Sequence, residues 1–258
     1  MPYAHRLQSS RFEFKYVIDE SLVRPLRDFA RSYLTTDEHA DPAQNHEYEV
    51  CSLYLDSPTL TLCRATMQGH KNRFKLRIRF YDHSPHSPAY FEIKRRQNDV
   101  ILKQRAAVRR EAVGRLLAGQ WPSWSDLYNA NTHQFGALER FCALRDTIHA
   151  EGQVFVSYRR EAYITPNDNS VRLTFDRRVA GQPYGHNWSL FSSQEPFHPK
   201  IEGVILEVKF TDRFPNWVRQ MVELFDLERV SMAKYVRCIL GLTSHPMRYS
   251  LARRGYEV

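Results

Sequence analysis

Phe74-Lys75-Leu76-Arg77-Ile78-Arg79-Phe80-Tyr81 alternates apolar and basic side chains over a full strand length. Successive side chains of a strand point to opposite faces, so Lys75, Arg77 and Arg79 share one face while Phe74, Leu76, Ile78 and Phe80 take the other. The pattern recurs. Arg11, Glu13 and Lys15 alternate with Phe12, Phe14 and Tyr16, and Glu92, Lys94 and Arg96 alternate with Phe91 and Ile93. Lys103 and Arg105 continue it. Several basic ladders in one chain describe a surface built to hold a multiply charged anion.

The 258 residues allow one large domain or two small ones, and no linker, repeat or low-complexity tract marks a division. The expectation is a single domain over 1–258 with a helical insertion at about 109–150. Lys and Arg number 37 against 29 Asp and Glu, a formal net charge of +8, which favours polyanionic partners without choosing among nucleic acid, phosphates and anionic membrane. Cys51, Cys63, Cys142 and Cys238 are widely separated and show no zinc-type spacing, so they read as reduced, buried thiols of a cytoplasmic protein. The first residues carry no apolar signal core, and no stretch approaches the ~20 apolar residues of a spanning helix. The chain is therefore expected to be cytoplasmic, with any membrane contact peripheral, at the inner face, through a separate membrane-protein partner.

Alternation and breakers place strands at 11–18, 48–55, 74–81, 90–95, 101–108, 154–164, 171–178 and 204–210. Helices are expected from Asp19 or Ser21 to about 34, at 59–67, through most of 109–148 with a break near Trp121-Pro122, at 215–225 and at 231–242. Residues 35–46 and 180–200 read as loops. The strands fall into hairpin-like pairs around Gln97-Asn98-Asp99 and Pro166-Asn167-Asp168-Asn169, which favours an antiparallel sheet and an α+β class.

A sheet with one wet face is the ordinary meaning of each ladder taken alone. These ladders are too many for that in a compact chain, and cations outnumber carboxylates on the polar face: Lys15, Lys75, Arg77, Arg79, Lys94, Lys103, Arg105 and Arg172 against Glu13, Glu92, Asp176 and Glu207. A sheet closed into a barrel would turn them into a lumen. Unpaired buried charge costs several kcal/mol per ion, so that lumen must hold water or a compensating polyanion. Arg and Lys suit phosphate chains, and a few interior carboxylates suit a divalent cation bridging phosphates. Nucleic acid is the rival partner. A stacking platform needs aromatics and cations on one face. Phe74, Phe80, Tyr81, Tyr90 and Phe91 are read as facing away from the cations, so no nucleic-acid partner is expected.

Taken in order, these segments resemble the polyphosphate polymerase domain of the vacuolar transporter chaperone (VTC) family, one of the triphosphate tunnel metalloenzymes related to the CYTH proteins. The resemblance runs from Arg11 to about Leu240 and implies an eight-stranded antiparallel β tunnel, a closed barrel with helices packed outside and a C-terminal helix near one mouth. Arg11-Phe12-Glu13-Phe14-Lys15-Tyr16 is similar to the first tunnel strand, whose Lys contacts phosphate. Ser52-Leu53-Tyr54-Leu55-Asp56 resembles a strand of mainly structural role. Arg77-Ile78-Arg79 resembles the paired-Arg strand that clamps the triphosphate, and Glu92-Ile93-Lys94 and Leu102-Lys103-Gln104-Arg105 the next two basic strands. In Tyr158-Arg159-Arg160-Glu161-Ala162-Tyr163 the motif selects Arg160, where alternation alone leaves Arg159 open. Arg172-Leu173-Thr174-Phe175-Asp176 and Leu206-Glu207-Val208-Lys209 resemble the "RxTxD" and "LEVK" strands, and Met232-Ala233-Lys234-Tyr235 the helical segment whose Lys caps one mouth.

The resemblance implies a phosphotransferase moving the γ-phosphate of ATP onto inorganic polyphosphate. Lys15, Arg77, Arg79, Lys94, Lys103, Arg160, Arg172 and Lys234 would hold phosphates, with Arg105 and Tyr158 at the nucleotide. Tyr158 reads either as a base-stacking or as a core tyrosine. Glu207, with Glu13, would hold Mn²⁺ or Mg²⁺. Arg11 stands where the CYTH branch opens with Glu, which favours the VTC branch over adenylate cyclase or thiamine triphosphatase and leaves fewer metal ligands. No segment resembles the SPX sensor or the membrane spans of the eukaryotic polymerase, so a stand-alone form is expected. Two alternatives use the same cations: an inorganic or nucleoside triphosphatase, and a non-catalytic polyanion-binding module.

Overall fold

A computed structural model describes residues 10–40, 46–166, 168, 170–185, 195–211 and 213–243. Its strands are β1 (Ser10–Ile18), β2 (Thr35–Thr36), β3 (Glu47–Asp56), β4 (Asn72–Phe80), β5 (Ala89–Gln97), β6 (Val100–Val108), β7 (Glu151–Ile164), β8 (Val171–Pro183) and β9 (Val204–Phe210). The helices are α1 (Val23–Ala30), α2 (Thr61–Met67), α3 (Arg110–Leu117), α4 (Thr132–Thr147), α5 (Asn216–Leu224) and α6 (Lys234–Thr243). The sheet order is β2-β7-β3-β4-β5-β6-β1-β9-β8, and β8 pairs back onto β7. Eight antiparallel strands therefore close into a barrel, and the two-residue β2 adds to the end of β7.

Closure sorts the alternating side chains into an outer apolar face and an inner polar one. Leu76, Ile78 and Phe80 on β4 and Phe91 and Ile93 on β5 pack outward against Val113 and Leu116 of α3 and Leu138 and Phe141 of α4. Each such side chain, fully buried, contributes on the order of 1.5–3 kcal/mol. On the opposite wall, Tyr16, Leu173, Phe175, Leu206 and Val208 pack against Leu26 of α1 and Val218 and Met221 of α5. The third cluster belongs to the barrel interior. Val17, Val50, Val154, Val156 and Ile205 share the inward parity of the charged residues on their strands and pack against Tyr235, Val236, Cys238 and Ile239 of α6. The C-terminal helix thus fills one end of the barrel.

Several boundaries move from the expected ones. The first helix stops at Ala30 instead of running to 34, because the chain turns at 31–33 to deliver Thr35 and Thr36 to β7. Asp19 does act as the cap, accepting a hydrogen bond from the Ser21 N–H at 2.8 Å, but the turn it caps is a 3₁₀ turn, Glu20–Leu22. Strand β8 continues to Pro183, five residues past the expected end at 178. Arg178 takes a left-handed φ of 50°, and the β7–β8 register shifts between Ser157 and Arg159, so alternation breaks there while pairing resumes beyond. Of the expected 180–200 loop, residues 186–194 lie outside the described residues, as do 41–45 of the 35–46 loop. Gly203 has φ 117°, and a side chain there would run into the carbonyl of Ile18, so the tight turn into β9 requires glycine. All four cysteines are free, and burial, the first cause in each case, pushes their thiols up to about 11 or 12. Among the described residues no helix is long and apolar enough to cross a membrane.

Candidate functional site

The barrel encloses a cavity of about 550 Å³ lined by Arg11, Glu13, Lys15, Lys75, Arg77, Arg79, Lys94, Lys103, Arg105, Arg160, Arg172, Glu207, Lys209 and Lys234, with Tyr48, Tyr54, Tyr81 and Tyr158 between them. Every residue expected to bind phosphate, nucleotide or metal lines this one space. A second cavity of about 680 Å³ shares Glu13, Lys15, Lys75 and Lys94 with it and opens between Lys71, Arg73, Arg95, Arg96 and Arg229. The second cavity continues the bore toward a basic opening.

Register explains the grouping of charges. Glu92 on β5 stands opposite Arg77 on β4 and Arg105 on β6. Its carboxylate lies 2.6 Å from the Arg77 guanidinium, 2.6 Å from Lys103 Nζ and 3.4 Å from Arg105 Nε. Arg77 also donates to the Tyr54 hydroxyl at 3.3 Å. Arg79 donates to the Ser52 hydroxyl at 3.1 Å and to the Tyr158 hydroxyl at 3.2 Å. Arg160 grips both oxygens of Asp176, and Lys234 Nζ is 2.6 Å from the same carboxylate. Arg172 pairs with Asp37 at 2.7 Å and donates to the Tyr48 hydroxyl at 2.9 Å.

A further group joins β1, β5 and β9. Lys15 is 3.0 Å from Glu13 and 3.6 Å from Glu207, and donates to the Met232 carbonyl at 3.0 Å. Lys94 reaches Glu13 at 2.7 Å, and Lys209 pairs with Glu207. Burial and Glu207 push the Glu13 carboxyl up, but Lys94, Lys15 and Lys209 outweigh them and hold it below the usual carboxylate range. Glu207 is likewise held well below that range: burial pushes it up, and Lys209 and Lys15 overcome it.

The cations are only partly compensated. Among the described residues no carboxylate lies within salt-bridge distance of Lys75 or Arg79. Burial, then Lys15 and Lys94, drives the Lys75 ammonium well below its ordinary value. Burial brings Lys103 down to about 8 and Lys209 to about 7, with Glu92 and Glu207 offsetting part of it. Against its burial, Lys15, held by Glu13 and Glu207, is pushed the other way, above the ordinary lysine value, so compensation is uneven along the bore.

Glu13 and Glu207 are the expected metal ligands, and Lys15 holds both. Among the described residues no group of three or more His, Cys, Asp and Glu side chains comes together. The pair supplies hard oxygen donors for part of a Mg²⁺ or Mn²⁺ shell, which phosphate oxygens and water would complete. These residues fit a cation shared with a phosphate ligand and do not form an all-protein cage.

Arg160, the residue the motif selects, lines the bore, and Arg159 does not. Two sequence readings change. Tyr81 and Tyr90 do not face away from the cations: Tyr81 lines the cavity, and the Arg105 guanidinium stands 3.5 Å over the Tyr90 ring and 5.8 Å from that of Tyr81. Their parity with Arg77, Arg79, Glu92 and Lys94 was the available signal; Phe80 and Phe91 do face outward into the core. Finally, Lys75, Glu92, Asp176 and Lys209 belong to the site although none was among the expected ligand-binding residues.

A family profile described as the VTC domain matches residues 10–243. No curated protein matches the chain. Among solved structures, one from Bacillus halodurans, described as a candidate adenylate cyclase, superposes with a TM-score of 0.51 at 13% identity, over 88% of this chain and 96% of that one. A protein from Pyrococcus horikoshii aligns at 12% identity with a TM-score of 0.42, over 90% of this chain and 99% of that one. The first likeness bears on the fold alone.

Proposed function

Because the chain belongs to the VTC domain family, we propose that it is a metal-dependent polyphosphate polymerase, transferring the γ-phosphate of ATP to a growing inorganic polyphosphate chain inside the bore. The observation that carries this reading is the closed lumen whose cations exceed its carboxylates, with Lys75 and Arg79 lacking any carboxylate partner among the described residues. Such a space is suited to a flexible chain of negative charge, and the cavity that continues it past Lys75 and Lys94 lengthens the path such a chain can take.

Arg77, Arg79, Lys103 and Arg105 hold the triphosphate, with Arg160, Arg172 and Lys234 on the facing wall. Tyr81, partly exposed on the lumen, offers a ring face to a nucleobase; Tyr158 is buried with Lys234 and Arg160 over its ring and supports Arg79 through its hydroxyl. A terminal oxygen of the polyphosphate chain attacks the γ-phosphorus. The new P–O bond forms as the bond to the β-phosphate oxygen breaks, and ADP leaves with the electron pair. The attacking oxygen is already anionic, so no general base is needed. Catalysis consists of alignment and charge neutralisation by fixed cations. Glu13 and Glu207 would hold a divalent cation, which when bound adds positive charge at the phosphate oxygens.

The test is incubation of the purified chain with ATP and Mn²⁺. Accumulation of long polyphosphate with release of ADP supports the reading; orthophosphate as the sole phosphate product assigns hydrolysis to the same bore; ATP binding without turnover makes it a binding module.

A further inference from the structure

Glu92 differs from the other inward carboxylates in the number of cations it holds. It is wholly buried, and β5 places it between β4 and β6, so that Arg77 and Arg105 are both its direct cross-strand partners. Arg77 Nε and Nη2 each lie 2.6 Å from Oε2, while Lys103 Nζ lies 2.6 Å from Oε1. Three cations thus share one negative charge. The set is not closed: neither Glu92 Oε1 nor Arg105 Nε makes a hydrogen bond of good geometry. The two oxygens of a carboxylate offer a guanidinium the same pair of acceptors as two phosphate oxygens.

The cations do not depend on Glu92 to point inward. Arg77 also donates to the Tyr54 hydroxyl, Arg105 lies over Tyr90, and strand pairing fixes the backbone of all three. The carboxylate is therefore not needed to aim them, yet it occupies the faces a phosphate would use.

Resting on the polyanion reading of the bore, we propose that Glu92 is a built-in competitor for the ligand. By claiming Arg77, Lys103 and Arg105 in the empty bore, it limits how tightly a phosphate chain is held and so allows product to leave. It acts on the ligand only through those cations and touches no reacting atom.

Glu92→Gln keeps the shape and removes the charge. Calorimetric titration of the full chain with inorganic tripolyphosphate should show roughly tenfold tighter binding in this variant than in the wild type. Steady-state assays should show KM and kcat falling together, because release slows. If the variant unfolds in plain buffer, tripolyphosphate should raise its melting temperature by more than it raises that of the wild type. Adding Lys103→Gln should bring the affinity back toward the wild-type value. Equal or weaker tripolyphosphate binding by a folded Glu92→Gln chain, or an unfolded one that tripolyphosphate does not rescue, overturns this inference alone. A wild-type chain that takes up no tripolyphosphate overturns it together with the polymerase reading.

Discussion

Arg160 on β7 and Asp176 on β8 face each other across the ladder, and the guanidinium binds both carboxylate oxygens, at 2.7 and 2.8 Å. Lys234 completes the group from the first residue of α6, with its Nζ 2.6 Å from Asp176 and 4.7 Å from the centre of the Tyr158 ring. One carboxylate thus ties the C-terminal helix to the barrel wall. Asp176→Asn leaves two enclosed cations without their counter-ion. Breaking a buried pair this way costs about 3–5 kcal/mol, so urea unfolding should show a clearly lowered midpoint with an unchanged slope. A midpoint equal to that of the wild type would show that the pairing contributes nothing to stability.

Arg77 and Arg79 approach the bore from the same strand with different support. Arg77 is held by Glu92, whereas Arg79 donates to the hydroxyls of Ser52 and Tyr158 and has no salt-bridged carboxylate among the described residues. Replacing both by Ala should abolish ATP binding in calorimetry while the circular dichroism spectrum stays native, because the outward face of β4 keeps its packing. Normal ATP affinity in the double variant would contradict the assignment of this strand.

Tyr235 lies one residue beyond Lys234. Its hydroxyl donates to Asp56 at 2.8 Å, and its ring stacks on Tyr54 at 4.8 Å. Asp56 also receives the backbone N–H groups of Ser57, Leu62 and Cys63, so it is the junction of β3, α2 and α6. Tyr235→Phe keeps the stack and removes one hydrogen bond to a buried carboxylate. The expected loss is about 1–3 kcal/mol, measured by denaturant unfolding; a loss within error of zero would mean that the backbone donors suffice.

The depressed lysines give binding a pH dependence of definite sign. Burial pushes Lys103 down to about 8 and Lys209 down to about 7. A bound polyanion favours their ammonium forms and raises both values, so binding takes up protons between those values and the higher ones of the complex. Tripolyphosphate affinity should therefore fall as pH rises from 7 through 9. For stability the sign is opposite: the folded-state values lie below the unfolded one of about 10.4. The cost of burying the ammonium is thus fully present below pH 7 and is relieved as pH rises toward 10. Lys103→Arg, always charged, should flatten the upper part of the affinity profile; a wild-type profile level from pH 7 to 9 would rule this coupling out.

Much of this was legible from parity. The cations at 75, 77 and 79 could only share a face, and their number on several strands required a lumen. What alternation could not supply was register across the barrel. That Glu92 meets both Arg77 and Arg105, or that Asp176 meets Arg160, depends on how strands far apart in sequence align. Tyr81 and Tyr90 share the parity of the cations on their strands, so alternation itself places them with the bore, and a tyrosine can line a polar bore when a guanidinium such as that of Arg105 stacks on it. Strand β2, at two residues, is too short to carry a period. The end of β8 was hidden by the left-handed Arg178, which interrupts alternation without ending the strand.

A crystal grown with tripolyphosphate and manganese bears most directly on the claim that these inward cations form a phosphate-binding bore. The account predicts phosphate density inside the barrel, in contact with Arg77, Arg79 and Lys103, and an anomalous manganese peak beside Glu13 and Glu207. Phosphate bound only on the outer wall, with the lumen holding nothing but water, would contradict it.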